Sequence, residues 1–142
     1  MPIDHKALVR VRNAELRRKE QRARKAMQPF RLAVNAALKS SGVARAGQGR
    51  NGRIAGIGTT HTTGWLTETM VWSEPHGVEV RLESRDIPTF AKADYILHLK
   101  VEAQTLWAKV VAALKADPRF VVSDVRETSL VVRPGTSFAV TQ

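Results

Sequence analysis

The sequence predicts an α+β fold: a basic N-terminal helical arm, a Gly/Arg-rich loop, then an antiparallel sheet packed on one or two helices. Three observations carry that reading. Phe30, Val34 and Leu38 recur at helical spacing, as do Leu106, Val110 and Leu114. Val78, Val80 and Leu82 alternate with Glu79, Arg81 and Glu83, the pattern of a half-buried strand with one solvated face. Between such runs stand turn-formers, Glu74-Pro75-His76-Gly77 and Asp117-Pro118. Taken along the chain, the order is α-α-loop-β-β-β-α-β-β, a sandwich of helix on antiparallel sheet.

From Ile3 to about Met27 the residues are good helix formers, dominated by Ala, Leu, Arg, Lys, Glu and Gln. Apolar positions are sparse: Leu8, Val11 and Leu16, then only Ala23 and Ala26 before Met27. A helix this polar bridges solvent, binds something charged, or is unstable alone. In the linear run Arg17–Lys25 the charges read as spread around the whole circumference. Pro29 interrupts or kinks the pattern, or starts a second helix at its first turn. That second helix, about Pro29 to Lys39, has a clear apolar stripe, with Ala33 and Ala37 beside it, and Ser40-Ser41-Gly42 is its stop.

Gly42 to Gly64 reads as one long loop, dense in glycine and carrying Arg45, Arg50 and Arg53. Strands at Trp65–Ser73 and Val78–Ser84 form a hairpin. Tyr95, Leu97, Leu99 and Val101 alternate with Ile96, His98, Lys100 and Glu102, which predicts a third strand; a long helix through the same residues is the alternative. Gln104–Lys115 is a helix that ends at Asp117-Pro118. Phe120–Val125 and Ser129–Arg133, joined around Arg126-Glu127, close the chain as a hairpin. The expected organisation is an arm over residues 1–28 and a single α+β domain over 29–142 with a flexible loop at 42–64.

Charge gives the best clue to function. The chain carries a net +10, yet residues 1–53 hold fourteen Lys/Arg against three acids, a local +11. The remaining residues hold nine Lys/Arg against ten acids, a local −1. A clustered positive field attracts polyanions and speeds encounter with them. The absence of cysteine excludes disulfides, thiolate zinc sites and cysteine nucleophiles. Neither a membrane-spanning run nor a secretory signal is recognisable, so a cytoplasmic location, or one within a virion or particle, is expected.

The basic segment admits two functional readings. As a helix it lies along a nucleic-acid groove and neutralises phosphates; as a disordered arm it folds on binding. Candidate contacts are Arg17, Arg18, Lys19, Arg22, Arg24, Lys25, Arg31, Arg45, Arg50 and Arg53. Glycines from Gly47 to Gly52 would let main-chain N–H groups approach phosphates, with the arginines as bidentate forks. This segment lacks the Gly-Lys-Ser/Thr of a P-loop, and no strand precedes it as in a dinucleotide site. Phe30 belongs to a core stripe, and Trp72 and Trp107 read as core, with Trp65 the least determined. Base stacking is therefore not indicated, and a phosphate-dominated, weakly sequence-specific contact with DNA or RNA is expected.

Catalysis has little support. His5, His61, His76 and His98 lack metal-ligand spacing, and Thr59-Thr60-His61-Thr62-Thr63 has no carboxylate nearby in sequence. Glu68, Glu79 and Arg81 are the nearest approach to a metal-nuclease set, but Arg cannot do the work of a titratable Lys. No enzyme activity, cofactor or metal is expected. The alternative function is a structural subunit, in a homo-oligomer or a multi-protein assembly, whose arm and loop dock on neighbours. The order helix, antiparallel strands, helix, closing hairpin resembles phage tail-terminator and connector proteins. Its helix–three strands–helix portion resembles double-stranded-RNA-binding domains. Both are likenesses of topology alone.

Overall fold

Two helices lie against one face of a five-stranded antiparallel sheet, so the α+β class expected from the sequence is the one observed. The computed structural model describes residues 4–43, 53–59, 62–85, 91–136 and 138. In chain order the elements are α1 (His5–Lys39), β1 (Arg53–Ile57), β2 (Gly64–Val71), β3 (Gly77–Ser84), α2 (Ala93–Ala116), β4 (Phe120–Ser123) and β5 (Ser129–Pro134). The strands run β1-β2-β3-β5-β4 across the sheet, which makes β1 and β4 the edges.

Register explains where the core sits. Leu66 pairs with Leu82, Val80 with Leu130 and Val78 with Val132, so one face of the sheet is a continuous aliphatic surface. Onto it pack Met27, Phe30, Val34 and Leu38 of α1, and Ala103, Leu106, Trp107, Val110 and Leu114 of α2. Phe30 meets the Phe120 ring edge-on at 5.7 Å. The opposite face alternates Thr67, Thr69, Glu79, Arg81 and Ser129, and no helix covers it among the described residues.

Three expectations are corrected. First, α1 is one helix across Pro29, not two. Proline removes one i→i−4 bond and crowds the preceding turn, at a cost of about 3 kcal/mol. Pro29 is exposed, however, and the buried Met27 and Phe30 flank it. Burial at about 1.5–3 kcal/mol for each large apolar side chain outweighs that cost.

Second, residues 95–102 are the first half of α2, not a strand. Leu99, Ala103, Leu106, Val110 and Leu114 form one buried stripe at helical spacing, with no break between the two segments. The alternation of Tyr95, Leu97 and Val101 is incidental: all three are exposed.

Third, the segment read as a loop from Gly42 to Gly64 contains an edge strand. Ile54, Ala55 and Ile57 are buried, and β1 pairs with β2 through a bulge between Arg53 and Ala55. Glycines on either side hid a five-residue strand. Residues 44–52, with Arg45 and Arg50, lie outside the described residues.

Candidate nucleic-acid interface

Helix α1 changes character midway. From Met27 onward one side is buried against the sheet. Before it, residues 5–26 form an arm of about 33 Å at 1.5 Å per residue. No side chain of the arm is buried, and Leu8, Val9, Val11 and Leu16 are each more than half exposed. Asp4 starts the arm: its Oδ1 accepts from the Lys6 and Ala7 backbone N–H groups at 3.0 and 3.3 Å. That satisfies two donors a helix leaves unpaired at its first turn.

With the helix in place, its register can be read at about 100° per residue. The sheet-facing direction is set by Met27, Phe30, Val34 and Leu38. Seven of the arm's nine cations fall within an arc of about 160° that runs from one flank of the helix around its outward side: Lys6, Arg10, Arg17, Arg18, Arg22, Arg24 and Lys25. Arg12 and Lys19 lie outside it, and so do both helical acids, Glu15 and Glu20. The charge is thus segregated, not spread evenly as the linear run suggests.

Lys6 and Arg10 were not among the sequence candidates, although a signal for Arg10 was present. Val9-Arg10, Leu16-Arg17, Ala23-Arg24 and Phe30-Arg31 repeat an apolar–Arg pair every seven residues. A seven-residue repeat keeps one bearing on a helix to within about 20° per step. The last member shows what the pair does when a surface lies beneath it. Phe30 is fully buried, and Arg31 Nη2 donates to Glu68 Oε1 at 2.7 Å, with the Glu68 side chain 10% exposed. One step earlier, the Arg24 guanidinium stands 5.7 Å from the Trp72 ring centre. Arg17 and Arg10 are beyond the sheet, and the Arg17 Nε donates only to its own helix, to Asn13 O at 3.4 Å.

The structure therefore divides the candidate residues. Arg17, Arg18, Lys19, Arg22, Arg24 and Lys25 come together on one exposed helix. Arg31 is drawn into the body, and Arg53 is paired on the open sheet face. Arg53 Nη2 donates to Glu83 Oε1 at 2.6 Å, and its guanidinium stacks on Trp65, 4.4 Å from the ring centre. Arg53's hydrogen bond holds the Glu83 carboxyl below its ordinary pKa, so the pair is fully ionised at neutral pH. Trp65 therefore sits under an arginine on the open sheet face. Trp107 is buried, with its Nε1 donating to Arg126 O at 3.1 Å. Trp72 is half-buried, edge-on to His76.

The groups weighed for catalysis do not converge. Glu68 points to the helices and Glu79 to the other face, where it pairs with Arg81 at 2.6 Å. A carboxylate does reach Thr59, but from far away in sequence. Glu102 Oε1 accepts from the Thr59 N–H at 2.9 Å and from its hydroxyl at 2.8 Å, with His98 Nε2 3.4 Å from Oε2. Here the hydroxyl donates directly to the carboxylate with no imidazole between them, an arrangement that straps the β1–β2 connection onto α2. His61 lies outside the described residues. Among the described residues, no group of three or more His, Cys, Asp or Glu could hold a metal ion. Nor is any described helix long and apolar enough to cross a membrane.

Compared with protein-family models, curated proteins and solved structures, the chain shows no match.

Proposed function

We propose that the protein is a non-enzymatic nucleic-acid-binding protein that contacts phosphates through its N-terminal arm. The carrying observation is the arm itself: seven cations within one arc of about 160° on the exposed part of α1, with both helical acids outside that arc. Like charges at helical spacing repel, so such a surface lowers its energy by taking up a polyanion and releasing the counterions of both partners. The arm bears no Phe, Tyr or Trp, so contact runs through phosphates and sequence preference is weak.

The test is binding of the full chain to duplex DNA, duplex RNA and single strands across a salt series. Affinity is expected to fall log-linearly, by about 10³–10⁵ from roughly 50 to 200 mM salt if six to ten phosphates are neutralised. Replacing Arg17, Arg18, Arg22, Arg24 and Lys25 together with Gln is expected to abolish binding and leave the sheet domain folded. Absence of binding at low salt would sink the reading.

A second reading rests on Val9 and Leu16, which continue the sheet-facing bearing of Phe30 into the exposed arm. There the arm docks on a neighbouring subunit of an assembly, and the protein is a structural component. A discrete oligomer in light scattering, insensitive to nucleic acid, would favour it.

A further inference from the structure

We infer that the arm enters the major groove of B-form duplex DNA, and so is built for that substrate over duplex RNA or single strands. This rests on the nucleic-acid reading above and goes further, naming the kind of nucleic acid and the face of the helix that meets it.

The seven cations of this arc fall into two rows. Lys6, Arg10, Arg17 and Arg24 follow one edge; Arg18, Arg22 and Lys25, spaced i, i+4, i+7, follow the other. Between the rows runs a strip of uncharged side chains, with Ala14 and Gln21 seven residues apart. A helix resting on a single phosphate ridge needs one row of cations at its centre line. Two rows flanking an uncharged strip match a channel with phosphates on both walls and base edges on its floor.

Size selects the channel. A helix with its side chains is about 10–12 Å across, and the B-DNA major groove, about 12 Å wide, admits one. The A-form RNA major groove is too deep and narrow, and a single strand offers no second wall. Ala14 is small enough to let the backbone settle toward the floor, while Gln21 carries an amide that can meet adenine N6 and N7.

Steric access agrees. The strip points to the outward side of α1, about 145° from the direction in which Met27, Phe30, Val34 and Leu38 meet the sheet. Of the seven cations only Arg24 touches the body among the described residues, its guanidinium 5.7 Å from the Trp72 ring centre. The acids Glu15 and Glu20 are then turned away from the groove floor.

The experiment measures Kd of the full chain for a DNA duplex, an RNA duplex of the same sequence and each single strand at one salt concentration. It then repeats the set with Ala14→Phe and Leu16→Phe, and circular dichroism verifies helix content. The DNA duplex is expected to bind at least about tenfold more tightly than the RNA duplex. Ala14→Phe adds bulk to the strip without changing charge, and is expected to weaken duplex DNA about tenfold while RNA and single strands move by less than about twofold. Leu16→Phe, on the sheet-facing side, is expected to leave all three unchanged. Equal affinity for both duplexes, or an Ala14→Phe variant with wild-type DNA binding, would overturn the groove and leave phosphate binding intact. No binding to any polyanion would remove both.

Discussion

The two halves of α1 share one backbone and one repeated apolar–Arg pair, and differ only in whether a sheet lies beneath them. Where it does, Phe30 is sealed in the core and Arg31 is fixed on Glu68. Where it does not, Leu16 is half exposed and Arg17 reaches only its own backbone. The same chemical pattern is thus structural at one end and available at the other. What decides is the partner surface, which supplies both the apolar bed and the counter-charge. A helix can therefore look uniformly polar or clearly amphipathic depending on which window is read, and here the boundary falls at Met27.

The largest effect expected from this comparison is on stability. Phe30→Ala removes a fully buried ring that touches Phe120 and Phe138, and should cost about 3–5 kcal/mol in denaturant unfolding. Leu16→Ala, the analogous position on the arm, should stay within about 0.5 kcal/mol. Equal losses would mean that the arm is packed against something in solution. Next comes Glu68→Gln, which weakens the charge-assisted bond to Arg31 in a site only one-tenth exposed on the glutamate side. A cost of about 1–3 kcal/mol is expected, again by denaturant midpoint. An unchanged midpoint would show that Arg31 is held by its neighbours and not by the ion pair.

Pro29 sharpens the comparison with the opposite sign. It stands two residues past the point where the arm meets the sheet, inside the helix. Pro29→Ala restores a hydrogen-bond donor and removes the ring, so stability should rise, by up to about 3 kcal/mol. Amide exchange in residues 20–28 should slow in the same variant, because fraying of the arm would no longer start at a break in the ladder. If exchange slows and the midpoint does not move, the arm opens independently of the body.

These elements also show what the sequence could and could not disclose. The hairpin of β2 and β3, the C-terminal hairpin and the stripe Phe30–Val34–Leu38 were legible because each is periodic and bounded by turn-formers. Residues 95–102 were misread because four apolar residues in alternation outweighed a helical stripe that begins only at Leu99 and runs on past Gln104. Strand β1 was missed because its burial comes from pairing with β2, a contact that local glycine content conceals. The basic segment was visible as charge, but its segregation to one side required the helix register that the buried half of α1 fixes. Arg31 and Arg53 could not be separated from the arm by sequence, since Glu68 and Glu83 lie 37 and 30 positions away.

The smallest expected effect tests whether that separation matters. If binding runs through phosphates, each contacting cation contributes about 0.9 to the slope of log affinity against log salt on duplex DNA. Arg17 is in one of the arm's two cation rows, so Arg17→Gln should reduce the slope by about that amount. Arg53 carries the same guanidinium, but it is paired with Glu83 and stacked on Trp65. Engaging a phosphate would require breaking that pair, so Arg53→Gln should leave the slope unchanged. The Glu83 carboxyl titrates below its usual range because Arg53 donates to it. A depressed carboxylate pKa means the pair persists at neutral pH and is lost only as pH falls through the lowered value. Measured at neutral pH, the two variants should therefore differ although the side chain removed is identical. Equal slopes would place Arg53 at the phosphates and extend the interface from the arm onto the open face of the sheet.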